Sequence, residues 1–148
     1  MTTIVYDHKN KQIAIDSREV AGDEIKSDKA IKWKVVDGTT YFMSGCVSDY
    51  PAFFALDKVR GVKPDVDIHC SSIFIRKGAA FKCAFSDTGY WELELSSNDS
   101  IGSGGVYAIS ALDFGKSARE AVDYAKTRDV NTGGKTVVFS LDKNKFIK

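Results

Sequence analysis

The chain has 148 residues, and 21 Lys plus Arg stand against 20 Asp plus Glu, which gives a formal net charge of +1. This balance excludes a strongly basic surface, so we expect neither nucleic acid nor a membrane as a partner. The length fits a single domain over residues 1–148. Charges interrupt every apolar run, and the three cysteines are widely spaced. Both features favour a soluble protein of the reducing cytoplasm.

Histidine is scarce, with His8 and His69 as the only two in the chain. The adjacent pair His69-Cys70 is the only cluster of typical zinc-ligand residues. A zinc site needs three or four such ligands, so we expect no metal. We expect no other cofactor either.

The first residues, Met1-Thr2-Thr3, carry the first chemical signal. Removal of Met1 leaves Thr2 with both a free α-amine and a β-hydroxyl, which is a known arrangement for an activated nucleophile. Many chains begin with Met-Thr for no chemical reason. The pattern therefore matters only if the fold brings supporting groups to the same place.

Two short segments rich in Ile and Val, residues 3–7 and 12–17, predict a β-hairpin. If its loop is centred on Lys9-Asn10, the numbers of paired residues sum to 19. Asp16 then lies beside Thr3, next to the start of the chain. A lone strand-end aspartate is more often simply solvated, so this position by itself does not decide the role of Asp16.

Residues 19–27 have loop character and precede a second predicted hairpin. Residues 31–36 and 39–46 flank Asp37-Gly38, a strong short-range hairpin signal. The second strand ends in Ser44-Gly45-Cys46, whose small residues either allow a close backbone approach or mark a bulge.

The middle of the chain predicts one helix and then three strands. Pro51 and the apolar spacing that follows it favour a helix over about 50–60. Residues 72–76, 80–85 and 90–95 are separated by glycine-containing turns and predict a meander.

A glycine-rich turn over residues 101–105 leads into a predicted helix over 106–114. Such a turn can cradle an anion, but the nucleotide-binding glycine patterns are absent, so we reject nucleotide binding. Capping-box spacing begins a helix over 117–128, and a strand follows over 136–141. The lysine-rich residues 143–148 are most simply a solvated tail.

Strands occur in consecutive runs and helices are grouped separately, which indicates the α+β class. The arrangement favours two antiparallel sheets sandwiched between helices, with about eight or nine strands in all.

Four sequence pieces in this order resemble one known family: TTIVYDHKNKQIAIDSR at the start, SGC at 44–46, IGSGG at 101–105 and RDVNTGG at 128–134. The chain resembles the β-type subunits of the proteasome and the bacterial proteasome-like peptidase that works with an unfoldase ATPase. The resemblance implies the N-terminal-nucleophile hydrolase fold, a four-layer α-β-β-α sandwich of two antiparallel sheets. The short connection between Arg60 and Ser72 implies that one helix of the family is lost here.

The resemblance also implies the roles of individual residues. Thr2 corresponds to the nucleophile, and Asp16 to the strand-end aspartate. Of the three lysines at 29, 32 and 34, which position alone does not distinguish, Lys32 lies sixteen residues beyond Asp16, as in the family. Gly45 corresponds to the glycine whose N–H group stabilises the oxyanion.

Three further matches are Ser103, Asp129 and Thr132, which would orient the amine and a water molecule. The family usually has Ser where this chain has Thr132, so the hydroxyl is kept and a methyl group is added. By the same analogy, four residues line the pocket for the side chain before the scissile bond: Glu19, Ala30, Met43 and Val47. Ala30 and Met43 in this set favour an apolar side chain.

The implied function is a threonine-type peptidase or amidase that acts on a polypeptide substrate through Thr2 once Met1 is removed. The resemblance implies a homo-oligomer, with a ring as one arrangement, and an unfoldase ATPase partner, although the missing helix counts against the usual stacked ring and ATPase docking. One alternative is a non-cleaving assembly or inhibitory subunit, favoured if Met1 is retained. Another is a small-molecule amide hydrolase, favoured by a monomer with an open site.

Overall fold

The computed structural model describes all 148 residues. Along the chain follow β1 (Ile4–Asp7), β2 (Gln12–Ile15), β3 (Glu19–Ala21), β4 (Glu24–Ser27), β5 (Trp33–Val36), β6 (Thr39–Gly45), a 3₁₀ turn (Val47–Asp49), α1 (Tyr50–Ala55), β7 (Cys70–Arg76), β8 (Ala79–Ser86), β9 (Gly89–Glu94), β10 (Asp99–Ile101), α2 (Gly105–Asp113), α3 (Ala118–Ala125), β11 (Val137–Ser140) and β12 (Lys145–Ile147).

The strands form two antiparallel sheets of five strands each and one separate hairpin. The first sheet has the order β10-β1-β2-β11-β12, and the second has the order β5-β6-β7-β8-β9. In the first sheet Ile4 pairs with Ile15, which is the register predicted from the sequence. This register brings the residues before β1 beside those after β2, where the candidate site lies.

Three apolar clusters hold the layers together. The largest lies between the two sheets and contains Ile4, Ile15 and Phe42. A second joins the other face of the first sheet to α2 and α3, and a third lies under α1 on the outer face of the second sheet. The predicted α+β fold, a four-layer α-β-β-α sandwich, is confirmed. Only the short α1 covers the second sheet, which fits the predicted loss of a helix.

The helix predicted over 50–60 is shorter than expected, since α1 ends at Ala55. Leu56 is already extended, with φ −77° and ψ 143°. The Lys58 ammonium then bonds the carbonyl oxygen of Phe53 at 2.6 Å and lies over the Phe53 ring. A side chain therefore binds a free carbonyl at the helix end that a further turn would have used.

Two segments expected to be irregular are strands. Residues 19–27 form the β3–β4 hairpin, and the expected tail contains β12, which pairs with β11. The Phe146 ring lies 4.6 Å from the Trp33 ring and 5.1 Å from the Phe139 ring, centroid to centroid. This apolar contact between distant parts of the chain outweighs the local lysine-rich character. None of the helices is both long and apolar enough to cross a bilayer.

Candidate active site

The candidate site is centred on the side chain of Lys32, which lies just before β5. Its ammonium nitrogen is 2.7 Å from Asp16 Oδ1 and 3.0 Å from Thr2 Oγ1. Thr2, Asp16 and Lys32 are 1%, 0% and 4% exposed, respectively. The structure therefore places a hydroxyl, a cation and a carboxylate in hydrogen-bonded sequence away from bulk water.

Backbone N–H groups surround the Asp16 carboxylate. Oδ1 accepts from Thr3 N at 3.0 Å, and Oδ2 accepts from Gly133 N at 3.0 Å and from Arg18 N at 3.3 Å. With Lys32, four donors hold a carboxylate that would be costly to bury alone. The Asp16 carboxylate is thereby held in a geometry that orients Lys32 toward Thr2.

Burial disfavours cations in this region. It lowers the pKa of Lys32 below 10.5, although the Asp16 carboxylate acts in the opposite direction. Burial and the Lys32 charge also lower the pKa of the Met1 α-amine below 8.0. An amine placed here is therefore more readily neutral, and so more able to accept a proton, than one in water.

A second cluster links the glycine-rich turn to the chain start. Asp129 Oδ2 accepts hydrogen bonds from Ser103 Oγ and Thr132 Oγ1, both at 2.6 Å. Thr132 Oγ1 also lies 2.6 Å from Thr3 Oγ1. Partial burial alone would raise the pKa of Asp129, but the bonds from Ser103 and Thr132 bring it below its usual 3.8. A carboxylate in this cluster is ionised at neutral pH.

The glycines of this turn allow a close approach to the first residues. A Cβ on Gly102 would overlap the Thr2 carbonyl group, and a Cβ on Gly104 would overlap Thr3 Oγ1 and lie 2.6 Å from Thr132 Oγ1. By its sequence alone, the turn could also cradle an anion. In the structure its glycines instead let the loop pack against Thr2 and Thr3.

Gly45 ends β6 at φ +113°, where a Cβ would overlap the His69 carbonyl oxygen and lie 2.7 Å from Cys70 Cα. Along β6, Met43 N donates to Lys32 O on one side and Cys46 N donates to His69 O on the other. Because N–H groups alternate along a strand, the Gly45 N–H points to the side of Lys32, beyond the start of β5. It is directed toward the region beside Thr2.

Met1 acylates the Thr2 backbone nitrogen, which is therefore part of an ordinary peptide bond. The Thr2 hydroxyl donates to the Met1 carbonyl oxygen at 2.6 Å, and Met1 Sδ lies 3.5 Å from Asn131 Nδ2. An amide nitrogen is not a base. The Thr2 nitrogen can therefore act as a base beside the Thr2 hydroxyl only when this residue is removed.

A cavity of about 600 Å³ opens beside Thr2 and Gly45. Three of the four residues implied to bind substrate line it: Glu19, Ala30 and Val47. Met43 does not line it, but belongs to the apolar cluster that contains Phe53 and lines a neighbouring cavity of about 290 Å³.

Sequence reasoning missed two residues near this site. Thr3 carries no chemical signal of its own in the sequence, although the predicted hairpin register places it opposite Asp16. Tyr50 lines the cavity from the first position of the helix predicted over about 50–60. No local signal distinguishes such an aromatic residue from a core residue.

Two other features of the structure lie outside this site or are absent from it. A second cavity of about 510 Å³ lies over α2 and α3 and contains none of the groups described above. No group of three or more His, Cys, Asp or Glu side chains is arranged to hold a metal ion.

No protein-family model and no curated protein sequence matches the chain. Several solved structures do. BPH of Thiobacillus denitrificans in complex with epoxomicin aligns with a TM-score of 0.68 at 18% identity, over 95% of this chain and 99% of that one. Eukaryotic HslV from Trypanosoma brucei aligns with a TM-score of 0.67 at 17% identity, over 93% of this chain and 97% of that one. Another BPH structure from Thiobacillus denitrificans aligns with a TM-score of 0.65 at 19% identity, over 95% of this chain and 97% of that one. These similarities show that the chain has the proteasome-like N-terminal-nucleophile hydrolase fold.

Proposed function

We propose that the protein is a threonine-type hydrolase of peptide or amide bonds, and a member of the proteasome-like peptidases that its sequence resembles. The observation that carries this proposal is the buried contact of the Lys32 ammonium with both Asp16 and the Thr2 hydroxyl, at 2.7 and 3.0 Å. A cation beside a hydroxyl favours its deprotonated form, which is the nucleophile in acyl transfer.

In the proposed mechanism, removal of Met1 gives Thr2 a free α-amine. The amine accepts the hydroxyl proton, directly or through a water molecule, while Oγ1 attacks the substrate carbonyl carbon. The C–N bond of the substrate breaks, and the proton passes to the leaving amine. Water then hydrolyses the Thr2 ester, which releases the acid product and restores the hydroxyl.

The remaining residues support these steps. The Gly45 N–H stabilises the oxyanion of the tetrahedral intermediate, and the loss of such a donor typically costs about 3 kcal/mol. Ser103, Asp129 and Thr132 orient the amine and the water. Their support is the hydrogen-bonded chain from Asp129 through Thr132 to Thr3, the residue next to the nucleophile.

We extend the proposal to substrate and assembly. The substrate is a polypeptide, and the protein is a homo-oligomer in the cytoplasm. The support is the likeness of fold to HslV and the BPH structures, one of which is bound to epoxomicin. Light scattering tests the assembly: a species of one chain mass at micromolar concentration contradicts it.

The test of the chemistry is intact mass after incubation with a peptide epoxyketone, whose ring closure uses both the amine and the hydroxyl of an N-terminal threonine. We expect one adduct on protein that has lost Met1, mapped to Thr2. Protein that retains Met1 is the matched control and gives no adduct.

Thr2→Ala and Lys32→Ala abolish the adduct, whereas Thr2→Ser retains it, because serine keeps both reacting groups. If fully processed, folded protein forms no adduct and cleaves no peptide, the hydrolase proposal is wrong. The fold would then serve a non-cleaving role.

A further inference from the structure

One residue that lines the cavity beside Thr2, Tyr50, has a buried hydroxyl group without a hydrogen-bond partner. Tyr50 OH is the only buried side-chain nitrogen or oxygen in the chain that lacks a hydrogen-bond partner. Tyr50 lies at the start of α1 and lines the same cavity as Thr2 and Gly45. A buried hydroxyl without a partner is destabilising, and a bound molecule can supply that partner.

The charges that line the cavity do not balance. Arg18 bonds both carboxylate oxygens of Asp28, at 2.8 and 3.1 Å, and Lys32 is paired with Asp16. Glu19, by contrast, forms no ion pair and its carboxylate accepts no hydrogen bond. Both cationic side chains of the lining are therefore paired, and one unpaired carboxylate remains.

Tyr50 and Glu19 line the same cavity. Burial, followed by the neighbouring Cys70 and Glu19 groups, raises the pKa of Tyr50 above its usual 10.0. The group therefore stays a neutral hydroxyl with a free lone pair. The Glu19 charge also acts on Lys32, in the direction that raises its pKa. The lining of the cavity thus includes an unpaired carboxylate, Glu19, and Tyr50, whose hydroxyl has no partner within the protein.

We propose that this cavity binds a cationic side chain, Lys or Arg, of the substrate residue before the scissile bond, with Glu19 as its charge partner and Tyr50 OH as its acceptor. The inference rests on the proposed function. A volume of about 600 Å³ accommodates a side chain of that length. It replaces the apolar preference suggested by Ala30 and Met43, because Met43 is outside the cavity.

The test uses full-length protein shown by intact mass to have lost Met1, with fluorogenic peptides that differ only in the residue before the scissile bond. Lys, Arg and norleucine are compared, since norleucine has a similar length without charge. We expect kcat/KM to be at least about tenfold higher for Lys and Arg than for norleucine, the scale expected for one charge-assisted contact.

Two substitutions test the assignment of residues through the ratio of kcat/KM for Lys to that for norleucine. Glu19→Gln keeps the shape, removes the charge and reduces this ratio about tenfold. Tyr50→Phe removes only the hydroxyl and reduces it about threefold. Glu94→Gln and Tyr107→Phe are matched controls outside the cavity and leave the ratio unchanged.

The outcomes separate this inference from the proposed function. An epoxyketone adduct on Thr2 together with equal or better cleavage after norleucine overturns the cationic pocket and leaves the hydrolase intact. A Lys preference that survives Glu19→Gln overturns the role of Glu19. The absence of both adduct and cleavage overturns the proposed function itself.

Discussion

Lys32 and Asp16 form an ion pair of 2.7 Å whose side chains are 4% and 0% exposed. Taking two charges out of water costs several kcal/mol per ion, and the mutual attraction roughly offsets this cost. Such a pair is a weak source of stability, so its presence here is better explained by the position it gives the ammonium beside Thr2. The pair also sets up the first prediction.

The two substitutions that break the pair are expected to have non-additive effects on stability. Asp16→Leu leaves a buried uncompensated cation and costs about 3–5 kcal/mol. Lys32→Met costs less, because three backbone N–H groups still hold the carboxylate. The double variant costs less than the sum of the two. Urea unfolding of all four proteins measures this coupling, and strictly additive effects contradict it.

Thr132 is expected to stabilise the site through its hydroxyl and not through its methyl group. Thr132→Val keeps the shape but leaves the Asp129 carboxylate and the Thr3 hydroxyl each without one partner, and costs about 1–3 kcal/mol in free energy of unfolding. Thr132→Ser keeps the hydroxyl and costs less. Thr127→Val, at an exposed position, is the control. Equal losses for the Val and Ser variants at 132 would assign the effect to packing.

Gly45 is expected to tolerate no side chain, for a reason beyond its backbone angle. Gly38 also has a positive φ, +79°, but nothing lies within 4 Å of an added Cβ there. Gly38→Ala therefore reports backbone strain alone, about 1–2 kcal/mol. Gly45→Ala adds an overlap with His69 and displaces the proposed oxyanion donor. We expect a larger loss of stability and loss of the Thr2 adduct; a stability equal to that of Gly38→Ala argues against the overlap.

Stability is expected to depend on two buried thiols in alkaline solution. Burial raises the pKa of Cys70 and Cys83 from 9.0 to about 12. Above pH 9 the unfolded chain loses these protons while the folded chain keeps them, so each thiol lowers stability with rising pH by up to about 1.4 kcal/mol per unit. Lys32, with a lowered pKa, acts in the opposite direction in this window.

The comparison of variants isolates the thiol contribution. Cys83→Ala makes the change in unfolding free energy between pH 9 and 10 less negative than in the parent protein. Cys46→Ala, which removes an exposed thiol, is the control for the loss of a thiol as such. Guanidinium unfolding at each pH measures the slopes. Parallel slopes for Cys83→Ala and the parent would contradict the assignment.

Local chemistry in the sequence determined a large part of the fold. The hairpin register that puts Thr3 opposite Asp16 follows from alternation and a tight turn, and the α3 capping box between Ser117 and Glu120 forms as its spacing predicts. Alternation, turn residues and caps act over a few positions. They are therefore readable without knowledge of which distant segments meet.

Only the tertiary structure decided which groups share the site and which segments become edge strands. Thr3 and Thr132 are 129 residues apart, and their contact depends on the order of strands in the first sheet. The short strands β10 and β12 form where β1 and β11 offer them hydrogen-bonding partners, and in β12 the contacts of Phe146 with Trp33 and Phe139 add to this. The tertiary structure also decides that the Tyr50 hydroxyl is buried without a partner. Burial is a property of the assembled layers, since the surface that covers a side chain comes from residues far away along the chain.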